Sequence, residues 1–140
     1  MSVASSNAES LVAVGEFDVK IGAPDMIPVP TGASAVGRHA LEKEYHGGLK
    51  GHAFGEMLTA GQPQLGEATY VALESFSGTL NGRVGGFALA HLGQMSAGSE
   101  ELRISIAPGS GTGELAGIRG ELLIRRESGT HHYTLNYRIG

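Results

Sequence analysis

Three ionisable residues, Glu74, Arg83 and His91, stand among the aromatics Tyr70, Phe76 and Phe87 on either side of Asn81-Gly82. Asn-Gly is a strong two-residue hairpin signal, because a type I′ turn requires positive φ at both central positions. With the turn placed there, Leu80 faces Arg83, and counting back pairs Phe76 with Phe87, Glu74 with Leu89 and Ala72 with His91. Side chains alternate across a strand, so Tyr70, Ala72, Glu74, Phe76, Arg83, Phe87, Leu89 and His91 share one face. Glu74 and His91 are then diagonal neighbours, roughly 7 Å apart between backbones and within side-chain reach. A carboxylate beside an imidazole stabilises the imidazolium and orients the ring, as a general acid–base pair requires. Aromatic walls with a few polar anchors are the usual make-up of a small-ligand site. On this reading Glu74 and His91 are the candidate catalytic pair, and Tyr70, Phe76, Arg83 and Phe87 are candidate ligand contacts. The plainer reading is a buried ion pair that fixes strand register in a filled core, and perturbed pairs are often structural. Arg83, beside the turn, would then only cover one end.

Other chemistries fare less well. No His-x-His lies on a strand, and the adjacent His131 and His132 must point to opposite faces. His39, His46 and His52 could share a metal only if the fold gathered them, so no metal site is expected. Gly109-Ser-Gly-Thr-Gly113 has the look of a phosphate cradle. Such a cradle needs a helix N-terminus behind it and usually a lysine; the residues that follow alternate as a strand instead. Ser110 likewise lacks the strand–helix elbow of a serine hydrolase. The absence of cysteine removes disulfides, thiolate metal sites and thiol catalysis. No cofactor is expected. A formal charge of −4 leaves no basic footprint for nucleic acid. No apolar run approaches the roughly 20 residues of a membrane helix. With no targeting signal at the N-terminus, the expected location is the cytoplasm.

The elements that must position these residues are strands. The chain has 140 residues, 41% of them hydrophobic and 23 of them glycine, which fits one globular domain punctuated by turns. Residues 1–11 are expected to form a flexible tail. Beyond them the hydrophobic period is two: Phe17, Val19 and Ile21 alternate with Glu16, Asp18 and Lys20, and Leu41, Lys43 and Tyr45 alternate with Glu42, Glu44 and His46. Further strands are expected at Tyr70–Leu80, Arg83–Leu92, Leu102–Pro108, Ile118–Glu127 and His131–Ile139, with another over Leu49–Thr59 interrupted by Gly51 and Gly55. The stretch from Gly22 to Gly37, with Pro24, Pro28 and Pro30, reads as a surface excursion.

A second hairpin turns at Ser128-Gly129 and gathers Ile118, Leu122, Ile124, Tyr133, Leu135, Tyr137 and Ile139 on one face, with Arg119, Glu121, Arg125, His132, Thr134, Asn136 and Arg138 on the other. Tyr133 and Tyr137 are core residues on this pattern; their hydroxyls reach the barrel end, and both are candidate ligand contacts. About eight antiparallel strands with one inward face close most economically as a barrel, since closure removes exposed edges. The expected fold is therefore all-β, a closed antiparallel barrel. The central hairpin is apolar on its other face too, through Val71, Leu73, Ala88, Ala90 and Leu92. A pair apolar on both sides should be covered on both, which suggests a homodimer through that strip. The expected function is binding of a small apolar molecule in the barrel, with cyclase- or isomerase-type chemistry at Glu74 and His91. The alternative is a non-catalytic oligomeric module with a filled barrel.

The continuous run Tyr70-Val-Ala-Leu-Glu-Ser-Phe-Ser-Gly-Thr-Leu-Asn-Gly-Arg-Val-Gly-Gly-Phe-Ala-Leu-Ala-His91, followed by Pro108-Gly-Ser-Gly-Thr-Gly-Glu-Leu-Ala-Gly-Ile-Arg-Gly120 and His132-Tyr-Thr-Leu-Asn-Tyr137, resembles the bacterial family catalogued as domain of unknown function 3224. The resemblance runs from about Gly15 to the C-terminus and is tightest over Tyr70–Tyr137. Glu74, Gly82, Arg83, Phe87, His91 and the Pro108–Leu115 loop fall within its pattern, whereas the proline-bearing excursion before Gly37 looks particular to this chain. It implies an eight-stranded barrel similar to allene oxide cyclase, often dimeric, and it implies no activity. A shared fold does not transmit a function.

Overall fold

A computed structural model of the chain describes residues 9–140. The expected tail falls largely outside these residues, and the first strand begins at Leu11. Ten strands follow in chain order: β1 (Leu11–Ile21), β2 (Asp25–Met26), β3 (Val36–Gly47), β4 (Leu49–Gln62), β5 (Glu67–Leu80), β6 (Arg83–Ser96), β7 (Ser99–Ile106), β8 (Thr112–Gly113), β9 (Ile118–Glu127) and β10 (Thr130–Ile139). Eight long strands run β1-β3-β4-β5-β6-β7-β9-β10, and β10 pairs back onto β1, so the sheet closes as an antiparallel up-and-down barrel. The two short strands are extensions: β2 continues the place of β1 beside β3, and β8 lies against Gly85 and Gly86 of β6. Among the described residues no helix is long and apolar enough to cross a membrane.

Both hairpin registers follow the turn residues. Leu80 faces Arg83, Phe76 faces Phe87 and Ala72 faces His91, while Ile118 faces Ile139 and Gly120 faces Tyr137. Asn81 and Gly82 have φ of 47° and 89°, and Ser128 and Gly129 have 53° and 81°, as two-residue turns of this hand require. A third turn of the same type falls at Ala97-Gly98, with φ of 51° and 83°. Alanine resists that conformation, so sequence gives no turn signal there. The Glu67 carboxylate holds it in place, accepting hydrogen bonds from Ser96 Oγ at 2.8 Å and the Ala97 amide at 2.9 Å. β4 also departs from expectation, because Gly51 and Gly55 lie inside one unbroken strand. Gly51 pairs with Gly78, Gly78 with Gly85 and Gly85 with Gly113, which makes a row of glycines across four strands.

The face carrying Glu74 points inward. At the end of the barrel marked by the Asn81-Gly82 turn the interior is filled by Tyr45, Phe76, Phe87, Tyr133 and Tyr137 with aliphatic residues around them. Tyr45 meets Phe76 and Tyr133 edge-on, each at 5.6 Å between centroids. The Pro108–Gly117 connection inserts the fully buried Leu115 beneath them. Ser110 within it serves this closure, accepting from the Ala88 amide at 2.9 Å and donating to the Ala107 carbonyl at 2.7 Å. The Tyr133 hydroxyl ties β10 to the β3–β4 turn: it accepts from the buried Leu49 amide and donates to the His46 carbonyl, both at 2.8 Å. Tyr133→Phe strands that amide without a partner and should cost about 1–3 kcal/mol in urea unfolding; a loss below measurement error would show that water replaces the hydroxyl.

Opposite the filled end, the wall is not uniformly zipped. Among the described residues β7 and β9 share a single bridge pair, Ser105 with Glu121. Outside, the second apolar face of the central hairpin is left open by the single chain. Leu73 is 59% exposed, Leu92 46% and Val71 43%, with Phe54 of β4 nearby on the same outer surface.

Candidate functional site

Lys43 and Tyr45 occupy inward positions of β3, and Glu74 and His91 occupy inward positions of β5 and β6. β4 lies between β3 and β5, and opposite Lys43, Tyr45 and Glu74 it carries only Ala53, Gly51 and Gly55. A Cβ on Gly55 would fall 1.9 Å from the Leu73 carbonyl oxygen, so the backbones there approach as closely as glycine allows. Side chains from β3 and β5 therefore meet over the intervening strand.

They meet at the Glu74 carboxylate, which is fully buried. The Tyr45 hydroxyl donates a short hydrogen bond to Oε1. Lys43 Nζ lies 3.1 Å from Oε2 and 3.4 Å from Oε1, and only the longer contact has hydrogen-bond alignment. The Lys43 ammonium also sits 4.5 Å above the centroid of the Phe17 ring, a cation–π contact. His91 Nε2 approaches Oε1 at 3.7 Å, close enough for its field but too long for a hydrogen bond, and it has no hydrogen-bond partner among the described residues. Burial pushes the Glu74 carboxyl up, but His91, Lys43 and Tyr45 together outweigh it and hold it below the ordinary carboxylate range. Burial pulls the Lys43 ammonium down by more than Glu74 raises it. The Tyr45 phenol is driven well above its ordinary value by burial and then by the Glu74 charge.

Beyond this cluster, toward the Ala97-Gly98 and Ser128-Gly129 turns, the barrel is open. A cavity of about 480 Å³ lies there, within the range of about 300–1,000 Å³ usual for small-molecule sites. Phe17, Val19, Ile21, Leu41, Met57, Ala72, Leu102 and Ile124 give it apolar walls, and Tyr70, Glu100, Arg126 and His131 supply polar edges. Lys43 and His91 both contribute to its lining, whereas Glu74 does not. The His131 ring stacks on Phe17 at 5.0 Å. Burial, then the charges of Arg126 and Lys43, hold its pKa below the usual histidine value.

Of the residues singled out by sequence, Glu74, His91 and Tyr70 come together at the cavity or directly beneath it. Phe76, Phe87, Tyr133 and Tyr137 lie in the filled end, with the Tyr137 hydroxyl accepting from Asn81 Nδ2 at 2.8 Å. Arg83 is exposed beside its turn, away from the cavity. Lys43 and Tyr45, which the sequence places on a strand, are not among the candidate site residues it singles out. Their signal was present, since a lysine at the inward position between Leu41 and Tyr45 must be buried if the strand is. Asp18, Glu44 and His46 form an exposed group on the outer surface whose potential ligand atoms lie within 4.8 Å of one another. A 3.1 Å contact between His46 and Asp18 already accounts for two of them.

No curated protein matches the chain. A crystal structure of a protein of unknown function from the DUF3224 family of Shewanella oneidensis MR-1 is similar: it is 38% identical, with a TM-score of 0.85 over 94% of this chain and 98% of that one. That likeness extends across the barrel strands, including those that carry Lys43, Glu74 and His91. The family described as "Protein of unknown function (DUF3224)" matches residues 13–137, which takes in every strand that builds the cluster and its cavity, and the chain belongs to that family.

Proposed function

We propose that this protein binds a small, largely apolar molecule in the open half of its barrel. The observation that carries this reading is the division of the interior. One end is packed with buried aromatics, while the other holds a cavity of about 480 Å³ whose lining includes the buried polar groups of Lys43 and His91. An apolar chamber with a few fixed polar groups orients a ligand by its polar end and excludes water from it. The chemistry this supports is of cyclase or isomerase type, in which holding a reactive substrate in one geometry does much of the work. His91 and Lys43 would touch the substrate, and Glu74 would hold both in position from behind. Native mass spectrometry against lipophilic acids, polyenes and neutral carbonyl compounds tests the reading. Binding of at least one class, weakened in Ala72→Phe, which puts an aromatic ring into the cavity, is the expected result. A panel without binders, or binding indifferent to Ala72→Phe, would overturn it.

A second reading is compatible with the first: the outer strip of Val71, Leu73, Ala88, Ala90 and Leu92 pairs two copies of the chain. The exposure of Leu73, Leu92 and Val71 favours it, because contiguous apolar strips of this kind commonly mark interfaces. Light scattering should show a dimer that Leu73→Glu converts to monomers or aggregates; a dimer unchanged by that substitution would rule the strip out.

A further inference from the structure

We infer that the cavity takes a neutral aldehyde or ketone and that Lys43 joins it through an imine, an inference that rests on the cavity being the binding site. Lys43 is the charged residue that is both more than nine-tenths buried and part of the cavity lining. Its charge is already balanced by Glu74, whose side chain is wholly buried and 3.1 Å away. A carboxylate ligand would bring a second anion to a buried site with one buried cation, which the low dielectric penalises. A neutral carbonyl compound brings none. Lysines in apolar pockets are the ones that serve as amine nucleophiles, because burial favours the uncharged form.

The step balances with the groups present. The Lys43 ammonium gives one proton to the Glu74 carboxylate, and the freed nitrogen pair attacks the carbonyl carbon as the carbonyl π pair moves to oxygen. A second nitrogen proton passes to that oxygen, which gives a neutral carbinolamine. The Glu74 proton then reaches the hydroxyl by way of His91, which lines the cavity and stands 3.7 Å from Oε1, the C–O bond breaks, and water leaves an iminium on Lys43 facing a carboxylate once more. No oxidant, reductant or further reactant is needed. Tyr45, hydrogen-bonded to Oε1, keeps the carboxylate in place throughout.

The chain has its own controls, since its other lysines, Lys20 and Lys50, are both exposed. Wild-type protein is treated with benzaldehyde and sodium cyanoborohydride, which reduces imines to stable amines, and the digest is mapped by mass spectrometry. The adduct is expected predominantly on Lys43, and an excess of toluene, an apolar competitor without a reactive group, should suppress that adduct while leaving any on Lys20 and Lys50. Lys43→Met, made together with Glu74→Gln so that no buried charge is left unpaired, should lose the adduct and keep its fold by circular dichroism. Adducts confined to Lys20 and Lys50 while toluene binds by ligand-observed NMR would overturn the imine and leave the binding reading standing. Failure of toluene to bind, with no Lys43 adduct, would remove both. Labelling of Lys43 that toluene does not suppress would also overturn the inference, because the amine would then be reacting outside the cavity.

Discussion

Glu74→Gln should destabilise the protein by about 3–5 kcal/mol, the usual cost of removing one partner from a buried ion pair. Glutamine keeps the shape of the side chain and can still accept from the Tyr45 hydroxyl. What it cannot do is balance the Lys43 ammonium, which is 5% exposed and has Glu74 as its ion-pair partner. Urea unfolding with the m-value held constant measures the loss. Lys43→Met in the same chain should recover much of it, since the uncompensated charge is then gone. A loss under about 1 kcal/mol would mean that Lys43 reaches water or sheds its proton at little cost. The same carboxylate sets the response to acid. Its folded-state pKa lies below its unfolded one, so its stabilising contribution is complete above the ordinary carboxylate range and disappears as pH falls through the depressed value. Lys43 also binds its proton less readily when folded, so stability rises again as pH climbs through its lowered value toward the ordinary lysine range. Glu74→Gln should flatten the acid limb of the stability profile.

Gly51→Ala should cost about 3 kcal/mol or more, although it adds a single methyl group. The added Cβ would stand 2.2 Å from the Ser77 carbonyl oxygen and 2.9 Å from the Gly78 Cα. Both are backbone atoms of the paired strand, so no side-chain rotation relieves the clash. The backbone also sits at φ +152°, where an L side chain is rarely found. Relief requires β4 to move away from β5 at the row where four glycines let the sheet bend. Gly82→Ala is the matching control: φ is +89°, but nothing lies within 4 Å of the new Cβ. It should lose only the left-handed penalty of about 1–2 kcal/mol. Thermal unfolding of the pair separates crowding from backbone conformation, and equal losses would show that conformation alone matters at Gly51.

The registers of the two hairpins, and the residues that share each face, were legible because turn residues and period two act locally; which face of the central hairpin turns inward was not, because both of its faces are apolar. Asn81-Gly82 alone places Glu74, Phe76, Phe87 and His91 on one face, and the structure puts that face inside. The partner of Glu74 was harder to see. Lys43 lies 31 residues away in sequence and meets it only through the combined registers of β3 with β4 and β4 with β5. Gly51 and Gly55, which look like interruptions, are the reason those registers can hold, because they let adjacent backbones and large side chains come close. The Ala97-Gly98 turn was hidden for the opposite reason: alanine carries no turn preference, and a carboxylate 30 residues earlier holds the conformation. Nor does strand pattern alone tell which end of a barrel is filled. That depends on how far Leu115, from a connection, and the five aromatics, from four strands, reach inward.

The single bridge between β7 and β9 bears on the size of the chamber. Leu102 and Glu100 line the cavity from β7, and Ile124 and Arg126 line it from β9, so the thinly zipped joint is part of the chamber's own wall. In cross-section the protein is a split ring, with seven firmly laddered joints and one held by a clasp. Hoop strain from an oversized guest would concentrate at that clasp while the remaining joints keep their ladders. The chamber therefore has a compliant side and a stiff one, and the stiff side is where β3, β4 and β5 hold Lys43 against Glu74.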